Sequence, residues 1–249
     1  MSEEKNNKGE RLQVVLARLG LASRRGVVGM IEGGHVLVNG KVVIEKGFRV
    51  HAQTDTLTVD GREFSAQRSP EKVYYLFYKP KGVLTTLQDP HADKTVADYF
   101  QDVPVRLFPV GRLDRDTTGI LLMTNDGELP FRLTHAKFGV EKKYHVKVKG
   151  LVSEDDARKL EKGVALEEGP TAPCVVKIAE SSKRETALTV ILHEGKKRQI
   201  RRLFEKVGHR VLALERFQYG SMTLGDLRPG QKRRLTAREV DSLKALTHL

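Results

Sequence analysis

The chain has a single cysteine, Cys174, among 249 residues, so an intrachain disulfide is impossible. Scarcity of cysteine favours a reducing compartment, and we expect a cytoplasmic protein. No apolar run approaches the roughly 20 residues that a membrane-spanning helix needs. Residues 1–9 are polar and mixed in charge, without the apolar segment of a signal peptide, and they predict a disordered tail.

Sequence signals for metal and cofactor binding are also missing. The eight histidines are scattered without metal-ligand spacing, and Cys174 has no other cysteine or histidine near it in sequence. No motif for a small-molecule cofactor is present. The sequence therefore predicts neither a metal site nor a cofactor.

Positive charge is abundant. The chain has 44 Lys and Arg against 32 Asp and Glu, a net charge of +12 and a pI near 9.7. A polyanionic partner is the natural inference, with an anionic membrane surface or plain solubility as alternatives.

The stretch from Val110 to Gly127 organises the rest of the chain. It reads VGRLDRDTTGILLMTNDG: a polar loop, four consecutive apolar residues at 120–123, and an Asp-Gly turn. This pattern predicts a loop that leads into a short buried strand and presents the Asp114 carboxylate. The alternative for Asp114 is that it bonds only its own turn backbone.

This stretch resembles the active-site motif of the RNA pseudouridine synthases, specifically the group of small-subunit synthase A and large-subunit types B, E and F. In that family the aspartate of Arg-Leu-Asp is the nucleophile, which implies that role for Asp114. Asp116 does not match that position and is interpreted as a turn residue. Arg112, within the same motif, is a candidate for substrate binding.

Residues 10–64 predict a small separate domain. Apolar residues at i, i+3, i+4 and i+7 from Leu12 indicate an amphipathic helix, and Ser23 can cap a second one. Two short β-segments around Asn39-Gly40 predict a hairpin, and residues 56–59 a further strand.

The segments Leu-Ala-Ser-Arg-Arg at 21–25 and Ile-Glu-x-Gly-x-Val-x-Val-Asn-Gly-Lys at 31–41 resemble the RNA-binding module of small-subunit ribosomal protein four. The resemblance implies that the start of the second helix faces RNA, where arginines suit phosphate. The alternative is a merely solvated basic face. The candidate contacts are Ser23, Arg24, Arg25 and Lys41.

Residues 65–72 are polar, contain Pro70 and predict a linker to a second domain at 73–249. Within that domain the pattern predicts strands at 73–78, 107–110, 120–123, 141–149, 174–178, 186–193 and 211–214. It predicts helices at 95–100, 128–137 and 153–163, a basic helix in 194–207, and a final helix from Thr236. The expected fold class is α+β: a helix–helix–hairpin RNA-binding domain, then a mixed, largely antiparallel synthase domain.

Three further site residues follow from the resemblance. Tyr144 matches a tyrosine beside the nucleophile, although a strand tyrosine is more often simply packed. Arg201, in a Gln-Ile-Arg motif, matches the arginine that pairs with the catalytic aspartate. Leu214 matches a leucine of the uracil pocket, where ordinary core is the alternative.

The residues around Gln-Ile-Arg carry five cations within seven positions. Their alternative interpretation is a solvated basic face, but beside a glycine they favour contact with phosphate. The candidates for RNA binding are Lys196, Lys197, Arg198 and Arg202.

The function implied is isomerisation of a flipped uridine of ribosomal RNA to pseudouridine. The Lys-Pro-Lys-Gly-Val-Leu-Thr-Thr and Val-Lys-Val-Lys-Gly segments most resemble type B of the large-subunit synthases. The expected partner is ribosomal RNA or a pre-ribosomal particle. We expect the protein to be a monomer and not to bind a membrane. The rival is a non-catalytic ribosome-assembly protein that retains the fold.

Overall fold

The computed structural model describes residues 9–67 and 70–249, and the chain divides into two units, Met1–Lys72 and Val73–Leu249. The predicted disordered tail lies outside the described residues except for Gly9. The elements of the first unit are β1 Glu10–Arg11, α1 Leu12–Arg18, α2 Arg24–Glu32, β2 Val36–Val38, β3 Lys41–Val42, β4 Arg49–Val50, β5 Thr56–Val59 and β6 Arg62–Ser65.

The local signals of the first unit are confirmed. The Ser23 hydroxyl accepts a hydrogen bond from the Gly26 amide at 3.0 Å, which caps α2. Asn39 and Gly40 both have positive φ, 51° and 76°, as the tight turn between β2 and β3 requires. The apolar faces of α1 and α2 pack with the sheet β3-β2-β5-β6 around a buried core that includes Leu12 and Leu57.

The predicted linker begins too early. Ser65 ends strand β6, which pairs with β5, and Ala66 is only 1% exposed within the core of the first unit. The Arg18 guanidinium also donates to the Ala66 carbonyl at 3.1 Å. Residues 65 and 66 are therefore part of the module, because Ser65 pairs in its sheet and Ala66 packs in its core; positions 68 and 69 lie outside the described residues.

The second unit contains the remaining elements. Its strands are β7 Tyr74–Lys79, β8 Phe108–Pro109, β9 Thr118–Thr124, β10 Lys142–Lys149, β11 Ala165–Leu166, β12 Gly169–Pro170, β13 Val175–Ser181, β14 Glu185–Leu192, β15 Val211–Tyr219, β16 Met222–Thr223 and β17 Lys232–Arg234. Its α-helices are α3 Leu129–Thr134, α4 Glu154–Glu161, α5 Gln199–Lys206 and α6 Ala237–Ala245, with 3₁₀ turns at Val96–Tyr99 and Ala136–Phe138.

Most of these strands form one mixed sheet in the order β13-β14-β10-β15-β9-β7-β17. Of these neighbouring pairs only β15 and β9 run parallel, so the expectation of a largely antiparallel domain is confirmed. Strand β9 is buried from both sides: Ile120 and Leu122 face one apolar cluster, while Leu121 and Met123 face another. A strand covered on both faces reads as a continuous apolar run, which is why its sequence does not alternate.

Gly119 lies where β9 meets both of its neighbours in the sheet, opposite Lys79 on one side and Arg216 on the other. Its φ is +107°, and a Cβ there would collide with the Arg216 backbone, at 2.7 Å from the amide nitrogen. Only glycine fits this close contact between two backbones.

Among the predicted boundaries in the second unit, those of the 128–137 helix and of the strand that was predicted to end at Leu214 are wrong. His135 is extended and separates α3 from a 3₁₀ turn, because its Nδ1 accepts from the Lys137 amide in place of a helical bond. Helix α5 lies within the predicted 194–207 segment and begins at Gln199, after Arg198, which is in the left-handed region with φ 51°. Strand β15 continues past Leu214 to Tyr219 because β10 pairs with it over that length.

Across residues 9–67 and 70–249, no helix is both long enough and apolar enough to cross a bilayer.

Candidate active site

A cavity of about 140 Å³ opens beside the loop that precedes β9. The loop contributes Arg112 and Asp114, β10 contributes Tyr144, and β15 contributes Leu214. Residues from distant parts of the sequence thus meet in one pocket. Its full lining is Gly111, Arg112, Leu113, Asp114, Thr117, Thr134, Lys142, Tyr144, Leu192, Gly195, Lys196, Arg198, Gln199, Ile200, Leu214, Arg216 and Tyr219.

The loop that carries Asp114 is anchored by a buried lysine. The Lys79 ammonium donates to the carbonyls of Pro80, Arg115 and Thr117 at 2.9, 3.2 and 2.9 Å. Burial lowers the pKa of Lys79 to about 8, against the opposing influence of the nearby Asp116 and Asp114 charges. Two of these charge-assisted bonds hold the loop backbone on either side of Asp116, and the third ties the ammonium to Pro80.

The carboxylate of Asp114 is paired with two arginines of the α5 region. Its Oδ2 lies 3.6 Å from Nε of Arg201 and 3.7 Å from Nη1 of Arg198. Arg201 also donates to the Thr117 hydroxyl at 3.4 Å, and its buried Nε has no hydrogen-bond partner among the described atoms. Asp114 therefore contacts side chains that are distant in sequence, and not only the backbone of its own turn. Arg198, just before α5, is in the left-handed conformation, and its side chain contacts Asp114 while remaining exposed to solvent.

Tyr144 and Leu214 are both buried and lie on the face of the sheet that borders the cavity. Tyr144 pairs with Arg216 across β10 and β15, and Val146 pairs with Leu214. Arg112 is exposed at the rim. The structure therefore brings the catalytic and substrate-binding candidates around one space, with Arg201 reaching it through Asp114.

The other basic candidates near α5 have different environments. Lys197 is exposed, whereas Lys196 lines the cavity and its ammonium donates to the carbonyls of Gly169 and Pro170. Arg202 forms a two-pronged ion pair with Glu168 at 2.5 and 2.6 Å. Lys197 is thus open to solvent, while Arg202 already has an anionic partner.

In the first unit, Ser23, Arg24, Arg25 and Lys41 are all exposed. The Ser23 hydroxyl is occupied in capping α2, and the two arginines form the first turn of that helix. A helix start with two exposed arginines offers both amide groups and cations to a phosphate.

Two cations of the cavity, Lys142 and Arg216, were absent from the sequence prediction. Lys142 is 5% exposed and its ammonium donates to the Val140 carbonyl at 2.9 Å. Arg216 is 3% exposed and donates through Nε and Nη2 to the Ile120 carbonyl at 2.9 and 2.6 Å. The sequence signal that could have identified them is the alternation of side chains along a strand. Lys142 lies two residues from Tyr144, and Arg216 lies two residues from Leu214, so each shares a strand face with a predicted pocket residue.

The chemical capacity of the site follows from these groups. It has one carboxylate held by two guanidinium groups, a buried tyrosine and two buried cations around a partly apolar space. Among the described residues no group of three or more His, Cys, Asp or Glu side chains is placed to hold a metal ion. A fixed carboxylate beside a pocket suits nucleophilic attack on a bound molecule.

Comparison with known proteins identifies the family of the chain. The family model described as RNA pseudouridylate synthase matches residues 73–206, and the model described as S4 domain matches residues 10–56. The chain is 45% identical over 239 residues to the ribosomal large subunit pseudouridine synthase B of Bacillus subtilis (strain 168), covering 95% of this chain and 96% of that relative.

Other relatives extend the match. The protein of the same name from Salmonella typhi is 41% identical over 219 residues, which cover 86% of this chain and 75% of that protein. A solved structure described as that of a pseudouridylate synthase superposes with a TM-score of 0.68 at 28% identity, covering 94% of this chain and 99% of the other. Both resemblances inferred from the sequence motifs are thereby confirmed, and the chain belongs to the RNA pseudouridylate synthase family.

Proposed function

We propose that the protein converts a specific uridine of large-subunit ribosomal RNA to pseudouridine. The observation that carries this proposal is the Asp114 carboxylate, held at 3.6 Å from Arg201 beside a pocket bordered by Tyr144 and Leu214. The names of the two relatives with 45% and 41% identity support the choice of large-subunit RNA.

In the proposed reaction Asp114 is the nucleophile and Arg201 orients its carboxylate. The glycosidic bond between C1′ and N1 breaks, the base turns, and a bond forms between C1′ and C5. The proton on C5 leaves to solvent and N1 gains one, so no oxidant or reductant is required. Tyr144 packs on the base, Leu214 provides an apolar wall, and Arg112 contacts the nucleotide at the rim.

The target base must leave its stack to reach the pocket, at a cost of a few kcal/mol. We assign residues 10–66 as an RNA-binding module and residues 73–249 as the catalytic domain. Exposed Arg24, Arg25 and Lys41 of the module, together with Lys197, supply phosphate contacts that offset this cost. Arg198 and Arg202 contribute less, because each already contacts a carboxylate. We expect the protein to act as a monomer in the cytoplasm.

The test uses ribosomal RNA tritiated at uridine C5, because C5 must lose its hydrogen when the new bond forms. Large-subunit and small-subunit RNA are incubated separately with the protein, and tritium released to water is counted. We expect stoichiometric release from large-subunit RNA. Release only from small-subunit RNA would leave the chemistry standing but refute the proposed target.

The matched variants are Asp114→Asn and Asp116→Asn, since both aspartates lie on the same anchored loop. We expect Asp114→Asn to abolish release while RNA affinity is retained, and Asp116→Asn to remain active. Full activity of Asp114→Asn would remove the nucleophile assignment. If neither ribosomal RNA nor a partly assembled particle releases tritium, the protein is better described as a non-catalytic RNA-binding protein.

A further inference from the structure

We propose that Lys142 and Arg216 are catalytic residues that bind the negative charge developing on the carbonyl oxygens of the uracil ring. This inference rests on the proposed function, because it concerns the same pocket. It adds an electrostatic site for the base to the nucleophile that attacks the nucleotide.

The two cations have hydrogen-bonding capacity in reserve. An ammonium has three N–H donors, and within the described part of the chain Lys142 uses one of them, on Val140. Arg216 directs Nε and Nη2 at one carbonyl, that of Ile120. Both side chains are almost completely buried and both line the cavity. Burying a charge without full hydrogen bonding is costly, and an anionic ligand in the cavity would offset that cost.

Lys79 provides the internal comparison. It is a lysine of similar burial in the same domain, and its ammonium donates to three backbone carbonyls. That set of bonds fully explains Lys79 as a support for the loop. Lys142 lacks such a set and faces the cavity, so the same explanation does not extend to it.

Lys142 lies beside a second cation of the pocket. Lys142 and Arg216 flank the ring of Tyr219, with Nζ of Lys142 5.4 Å and the guanidinium carbon of Arg216 4.6 Å from its centroid. Oε1 of the nearby Glu194 carboxylate accepts hydrogen bonds from the Ala172 amide and the Gln199 side chain at 2.9 and 2.7 Å. Burial and the Arg216 charge lower the pKa of Lys142 to about 8, while Glu194 opposes the shift.

The proposed reaction places negative charge on the uracil ring whether Asp114 attacks C1′ or C6. If Asp114 attacks C1′, the electron pair of the C1′–N1 bond goes to the base and is shared by O2 and O4. If Asp114 adds to C6, the electron pair of the C5–C6 double bond moves onto O4. In both cases negative charge forms on a carbonyl oxygen, where preorganised donors act most strongly.

The first test replaces the charge of Lys142. Lys142→Met should lower kcat by about 10²–10³-fold, the usual cost of one oxyanion donor, with little change in RNA affinity. Lys142→Arg keeps the positive charge and should recover much of the loss. Equal kcat for wild type and Lys142→Met would overturn the proposal, as would a loss that appears only in RNA affinity.

The pH dependence separates catalysis from packing, so the test survives partial unfolding of Lys142→Met. The titratable and charged groups facing Lys142 are Arg216 and Tyr219 on β15, Glu194 after β14, and Tyr144 on its own strand. In wild type kcat/KM should be constant in the neutral range and fall above pH 8, as Lys142 and the loop-anchoring Lys79, whose pKa values both lie at about 8, lose their protons. Arginine at position 142 stays protonated, so Lys142→Arg should keep only the part of the fall that Lys79 contributes; superimposable profiles would refute the inference.

The second test alters the substrate. Uridine with sulfur in place of O2 or O4 accepts hydrogen bonds weakly and spreads the charge itself. At the contacted oxygen, this replacement should shrink the kcat ratio between wild type and Lys142→Met; an unchanged ratio at both positions would contradict the site. Wild-type release of tritium is measured in parallel, so failure of the proposed function is distinguished from failure of this inference alone.

Discussion

Arg201 and Arg198 approach the same oxygen of Asp114 at 3.6 and 3.7 Å, yet their surroundings differ. The side chain of Arg201 is 11% exposed and that of Arg198 is 48% exposed, while Asp114 itself is 32% exposed. If Arg201 orients the nucleophile, its removal should be far more damaging than removal of Arg198, despite the almost equal distances. The two arginines therefore form a matched pair for mutation to methionine.

The expected magnitudes follow from screening. Two unit charges 3.6 Å apart interact by about 4–5 kcal/mol at an effective dielectric constant of ~20, an upper bound for Arg201 because Asp114 is partly solvated. Exposed ion pairs measure about 0.2–1 kcal/mol, which is the range expected for Arg198. At about 1.4 kcal/mol per tenfold in rate, Arg201→Met should lower kcat by roughly 10²–10³-fold and Arg198→Met by less than about fivefold.

The assay is tritium release in a single turnover at saturating RNA, which isolates the chemical step from RNA binding. Thermal unfolding and RNA affinity of both variants serve as controls, because Arg201 also donates to Thr117. Arg201→Lys, which keeps the charge but loses the fork of donors, should fall between wild type and Arg201→Met. Equal losses in the Arg201 and Arg198 variants would refute the orienting role of Arg201.

Two further predictions concern stability and RNA binding. Gly119→Ala should destabilise the protein by about 4 kcal/mol, because the added Cβ would collide with the Arg216 backbone. Gly208 has a φ of +84° but open space around it, so Gly208→Ala should cost only about 1–2 kcal/mol. Equal shifts of Tm in the two variants would contradict the packing argument. Changing both Arg24 and Arg25 to alanine should weaken RNA binding and reduce its salt slope by about 1 per residue, with kcat on saturating RNA unchanged. Unaltered affinity would show that this helix start does not bind RNA.

Elements whose signals are local were predictable from sequence. The capping boxes at Ser153 and Thr236 and the N-cap at Ser23 use a side chain and an amide only three residues apart. The Asn39-Gly40 turn follows from the positive φ that those two residues tolerate. The α+β class follows from the order of such segments, and the candidate nucleophile from the long motif around Asp114.

Features that depend on distant partners were not predictable in this way. The strand Arg62–Ser65 was missed because its alternation is weak and its pairing with β5 defines it. The helix break at His135 depends on one side-chain bond to a neighbouring amide in place of a helical one. The local sequence also does not determine which face of a strand is buried. For this reason it does not identify Lys142 and Arg216 as pocket residues, although they share strand faces with Tyr144 and Leu214.

The family, the fold class and the candidate nucleophile can be read from the sequence because motifs and caps are encoded over a few neighbouring residues. How the site residues meet is a property of the folded sheet. The parallel pairing of β9 with β15 and the antiparallel pairing of β15 with β10 bring the strand after Asp114 beside those carrying Leu214 and Tyr144. The same sheet buries two cations in the pocket, because register, and not composition, sets which side chains share an interior.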